Sequence, residues 1–157
     1  MSTLYFFLSL YTLCMIVLVI LWLQSGLDKV FNFKDNYDWL NGHFSKSALK
    51  GSVKFMLVSL TIFELAAGIA ALGAIIDIWF IKSWYLPFIA CFLSMLSLVA
   101  LFFGQRLAKD YGGAASLVGY MVYTILLILF AVALYAYTSS FLRTPSYQNI
   151  SYPGVMD

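Results

Sequence analysis

Residues 53–76 read VKFMLVSLTIFELAAGIAALGAII, an apolar run that carries one carboxylate, Glu64, near its middle. A helix of about 20 apolar residues crosses the hydrocarbon core of a bilayer. The run therefore reads as a membrane span, Val53–Ile76, with an acid at depth. A carboxylate there costs about 2.5–3.5 kcal/mol on insertion scales. A partner, a proton or a water-filled cavity has to offset that cost. Thr61, Glu64, Gly68 and Ala71 follow helical spacings and share one face, while Ala66, Ala70 and Ala74 form a row of small residues. Small residues let helices approach closely in lipid, so Glu64 is expected to face other helices rather than acyl chains.

The whole chain agrees with this reading. It is 63% hydrophobic and 10% charged over 157 residues, where a soluble domain carries about 25% charge. Its mean hydropathy is +0.92. Three further apolar runs, Leu4–Leu23, Trp84–Gly104 and Ala114–Thr138, complete a set of four spans. The first is expected to be a retained helix, because no Lys/Arg region precedes it. Short connections favour antiparallel neighbours, so the fold class is all-α, an up-down four-helix membrane bundle over residues 1–138. Residues 139–157 form a polar tail with Pro145 and Pro153, which is not expected to fold by its own contacts.

Residues 24–52 are the long connection. Tyr37, Leu40 and Phe44 recur at helical spacing there, which predicts a short helix lying in the membrane interface. Asp77–Ser83 reads as a turn flanked by the interfacial rings Trp79, Trp84 and Tyr85. Residues 105–115 read as a polar loop closed by Gly112-Gly113. Lys29, Lys34, Lys46, Lys50, Lys54, Arg106 and Lys109 fall on one side of the expected bundle, Lys82 and Arg143 on the other. The positive-inside rule then puts loops 24–52 and 105–115 in the cytoplasm.

Several chemistries lack their residues. The net charge of +2 is small and scattered, which does not suggest nucleic-acid binding. His43 is the only histidine, so two axial ligands for a membrane haem are not available, and no metal site is expected. Cys14 and Cys91 lie inside apolar runs, outside any Cys-x-x-Cys, and read as small apolar side chains. No nucleophile–base pair or phosphate-binding loop stands out, and the catalytic residues are unknown. The proton- or quinone-contact candidates are Glu64, Thr61, Tyr120 and Tyr123, with Lys29, Lys54 or Arg106 as a charged partner of Glu64. The competing reading makes Glu64 a structural knot that sets helix register.

Three places resemble the DoxX family of small four-helix membrane proteins, related to the membrane subunit of thiosulfate:quinone oxidoreductase. Gly26-Leu27-Asp28-Lys29-Val30-Phe31 looks like the family's Gly-x-x-Lys-[Leu/Val/Ile]-Phe stretch. Glu64-Leu65-Ala66-Ala67-Gly68 looks like its Glu-x-x-x-Gly signature. Gly104-Gln105-Arg106 with Asp110 and Gly112-Gly113-Ala114 looks like its late polar segment. The family's Arg near the start of the first helix has no counterpart in Leu4–Leu23. The resemblance implies the architecture and a redox setting. The function expected with it is a non-catalytic accessory subunit of a membrane-bound respiratory redox complex in a bacterial inner membrane, packing on catalytic subunits, with a quinone site at its border as a further expectation. The alternatives are a quinone-reducing subunit of a thiosulfate- or thiol-oxidising system, or a small proton-coupled carrier. No cofactor is expected to be held by this chain alone.

Overall fold

The computed structural model describes residues 2–142, all of whose regular structure is helical. The expected polar tail beyond Leu142 lies outside the described residues. In chain order the helices are α1 (Ser2–Phe31), α2 (Phe33–His43), α3 (Val53–Ile76), α4 (Tyr85–Leu107) and α5 (Tyr111–Leu142). A π-helical turn, Asp77–Ile81, continues α3. Four of these helices are long and apolar enough to cross a membrane, which marks the chain as an integral membrane protein.

The helix ends differ from the expected ones in ways that matter. Gln24-Ser25-Gly26 does not stop α1, which runs on to Phe31 for 30 residues, roughly 45 Å at 1.5 Å per residue. This extension carries Lys29 onto α1 instead of leaving it in a loop. Gly112 and Gly113 lie inside the first turn of α5 rather than in a connection. Asp110 caps that turn, its Oδ1 accepting the Gly113 N–H at 2.8 Å. Ser139–Leu142, expected to open the tail, extend α5.

The turn between α3 and α4 is built around Asp77, which is fully buried. Its carboxylate accepts Ser83 N–H at 2.8 Å, Ser83 Oγ–H at 2.7 Å and Leu86 N–H at 3.1 Å. It thus serves the unpaired donors at the start of α4. Lys82 and Trp84 take left-handed backbone conformations, φ 58° and 65°, each costing roughly 1–3 kcal/mol for a non-glycine residue. The Asp77 hydrogen bonds hold this reversal closed.

Side-chain pairs give the sense of neighbouring helices. Thr12 accepts Trp79 Nε1–H at 2.9 Å while Lys29 meets Glu64, so α1 and α3 run oppositely. Tyr11 packs by Trp84 and Trp22 by Ser94, so α1 and α4 run alike. Tyr11 lies edge-on to Phe130 at 5.4 Å and Tyr123 bonds Cys14, so α1 and α5 run oppositely. All four long helices contribute to one core. Tyr11, Met15, Leu18 and Trp22 of α1 meet the alanine-rich face of α3 at Ala67, Ala71 and Ala74. Cys91 and Leu98 of α4, with Leu127 and Ala131 of α5, complete it.

Candidate functional site

The close approach of α1 and α3 creates the site. A Cβ on Gly68 would come within 2.6 Å of Leu23 Cδ2, and one on Gly26 within 2.7 Å of Leu65 Cδ2. Two glycines, one per helix, let each backbone receive the leucine of the other. The helices then lie close enough for a side chain of α1 to reach the buried face of α3.

Lys29 makes that reach. Its Nζ lies 2.9 Å from Glu64 Oε2, 2.7 Å from Ser25 Oγ and 3.3 Å from the Ser25 carbonyl oxygen. An ammonium group has three protons, and here each has an acceptor. Lys29 also occupies the last turn of α1, where the helix dipole favours a cation. Its side chain remains 14% exposed, whereas Glu64 is fully buried. The lysine stem therefore runs from the polar end of the bundle to a carboxylate closed off from solvent. Of the three cations considered as partners, Lys29 is the one in place. Arg106 instead stacks over the Tyr111 ring at 4.7 Å.

The glutamate is only half satisfied. Oε2 holds the lysine, while Oε1 is buried without a hydrogen-bond partner among the described residues. Thr61, a turn earlier and nearly buried, donates to the Leu57 carbonyl at 2.7 Å and not to Glu64. In a helix, a threonine hydroxyl readily satisfies itself on the preceding turn.

The other two candidates do not join the site, which corrects the expected interior cluster. Tyr123 donates to the Cys14 carbonyl at 2.7 Å and ties α5 to α1. Cys14 and Lys29 are separated along α1 by roughly 22 Å, at 1.5 Å per residue. Tyr120 is 46% exposed and faces outward. Both tyrosines belong to a helix whose contact with α1 lies far from Glu64. Ser25 and Gly26, missing from the expected set, do belong to the site. Their signal was the spacing Ser25-x-x-x-Lys29, visible once α1 is taken past Gln24.

His43 lies elsewhere, its Nε2 3.2 Å from Gln105 Oε1 and its ring stacked on Trp39 at 4.9 Å. Among the described residues no three His, Cys, Asp or Glu side chains gather into a metal-binding group. Cys14 and Cys91 are both free thiols.

Two concavities flank the core, and Glu64 lines neither. One, of about 190 Å³, is an almost wholly apolar groove between α2, α3 and α4, lined by Leu40, Phe44, Met56, Leu60, Leu101 and Gly104 among others. The other, of about 280 Å³, lies at the opposite end near Leu4, Ile78, Lys82 and Tyr135. Lys29 lines neither of them either. Family models, curated proteins and solved structures compared with this chain return no match.

Proposed function

We propose that this chain is a non-catalytic accessory subunit of a membrane-bound respiratory redox complex, standing as an up-down bundle in a bacterial inner membrane. The observation that carries the non-catalytic part is Glu64, fully buried and held 2.9 Å from Lys29, outside the lining of both concavities described. A carboxylate that moves protons or orients a substrate needs an open side. Here the acid and its cation neutralise each other between two helices and set their register. The redox setting rests on the resemblance to the DoxX family carried by Gly26–Phe31 and Glu64–Gly68. In this reading the loops that include α2 face the cytoplasm and α2 lies in the interface plane.

Partner subunits would pack on the outward apolar faces. Phe6, Phe55, Phe92 and Phe103 are each more than half exposed, and rings on such faces suit either lipid or another membrane protein. Extraction in mild detergent, purification through a tag on this chain and mass spectrometry test the reading. Oxidoreductase subunits should co-purify in fixed ratio. A chain that runs alone overturns it.

A second reading, a quinone-reducing subunit for a sulfur- or thiol-oxidising partner, is favoured by the apolar groove beside Phe44 and Gly104, with Gln105 in its lining. A flat apolar ring with polar edges would suit such a groove. The proton-coupled carrier gains no comparable support, since Glu64 lines neither concavity.

A further inference from the structure

The concavity at the far end of the bundle combines features that neither reading uses. Its wall is apolar, formed by Leu4 and Leu8 of α1, Ile78 of the π-helical turn and Trp84. Lys82 and the tyrosines of α5, Tyr135 and Tyr137, also line it. Its volume is about 280 Å³. The surrounding rings place it at interface depth. Tyr5 stacks on Trp79 at 6.3 Å, and Tyr85 is largely exposed. Tryptophan and tyrosine collect where headgroups meet acyl chains.

Lys82 is the cation in this lining. Among the described residues Lys82 has no carboxylate partner within ion-pair distance. The nearby acid, Asp77, is fully buried, and its oxygens hold Ser83 and the Leu86 N–H. Lys82 itself is exposed and fixed in a left-handed turn, φ 58°. The fold thus holds one exposed positive charge in the lining of an apolar recess that is flanked by tryptophan and tyrosine rings.

We propose that this recess binds a phospholipid with an anionic headgroup, one acyl segment against Leu4, Leu8 and Ile78 and the headgroup charge on Lys82. The proposal rests on the chain spanning a membrane, not on its place in a redox complex, so the two can fail separately.

The test uses the full chain reconstituted into bilayers of equal phosphatidylglycerol and phosphatidylcholine. After detergent extraction, native mass spectrometry counts the lipids retained. The wild type should retain phosphatidylglycerol about fivefold over phosphatidylcholine, the preference expected from one lysine near a membrane surface. Lys82→Asn and Lys82→Gly both suit a left-handed backbone and should abolish the preference. Lys82→Arg should keep it. Leu8→Trp, which fills the recess, should lower retention of both lipids. Equal retention of the two lipids by the wild type overturns the proposal. So does a preference that survives both Lys82→Asn and Lys82→Gly, because the selecting charge would then lie elsewhere.

Discussion

Gly68 lies so close to Leu23 that an added methyl group would sit 2.6 Å from the leucine Cδ2 and 3.1 Å from its backbone nitrogen. The contact sets the spacing of α1 and α3, and that spacing lets Lys29 meet Glu64. A change at this glycine should therefore act on the ion pair without touching either charge.

Gly68→Ala should destabilise the bundle by about 1–3 kcal/mol, the usual range for overpacking a close contact. Gly26→Ala, facing Leu65 across the same interface, should do likewise. Because both push apart one pair of helices, the double variant should lose less than the sum. Thermal unfolding in detergent measures this. An unchanged midpoint for Gly68→Ala would show that the helices do not meet at this spacing.

Removing one charge should cost more than removing both. Lys29→Met leaves Glu64 buried without its cation, and Glu64→Leu leaves the lysine without its anion. Breaking one side of a buried pair costs about 3–5 kcal/mol. The double variant Lys29→Met with Glu64→Leu should recover most of that loss. Unfolding titrations of the three variants check it, and strictly additive losses would sink the idea of a mutual pair.

Glu64→Gln separates structure from proton chemistry. The amide keeps the shape and can still accept from Lys29, but it cannot take up a proton. If the accessory reading holds, the co-purifying complex should keep its quinone-linked turnover at close to the wild-type rate, measured by substrate-driven quinone reduction in membranes. Loss of turnover in a fully assembled complex would move the acid into the reaction.

Asp77→Ala should weaken the start of α4 by about 0.5–2 kcal/mol, the range for losing a helix-capping side chain. The loss should sit at the high end, since Asp77 serves Ser83 and Leu86 together. Lys82→Gly should partly compensate, because glycine adopts the left-handed conformation at this position without strain. Denaturant titration of the single and double variants tests both effects.

Thiol labelling reports on the core. Cys91 is fully buried and Cys14 partly so. A membrane-permeant maleimide should modify Cys91 only as the bundle unfolds, and Cys14 sooner. Equal rates for the two thiols in the folded state would contradict the packing of α1 against α4.

The class of the protein was legible in the amino-acid order. Four long apolar runs and scarce charge leave few alternatives, because a lipid-facing chain must satisfy its backbone within each helix. Glu64 stood out for the same reason: a lone carboxylate at that depth needs compensation. The ends of the helices were less legible. Gln24-Ser25-Gly26 has the composition of a helix stop, yet tertiary packing of Gly26 on Leu65 keeps α1 helical to Phe31. Asp110 likewise turns the apparent Gly112-Gly113 break into a capped start of α5.

Sequence periodicity alone determined which residues share a face of one helix, and so placed Glu64 and Thr61 side by side. It could not determine which faces of different helices meet. That depends on the rotation of each helix about its axis, set by the glycine contacts of α1 with α3 and by Tyr123 on the Cys14 carbonyl. Only the tertiary structure therefore chose Lys29 over Lys54 and Arg106 and turned Tyr120 outward. The physical reason is range. Helical propensity and hydropathy act over a few residues of chain, while the ion pair joins side chains 35 residues apart and exists only where two backbones can nearly touch.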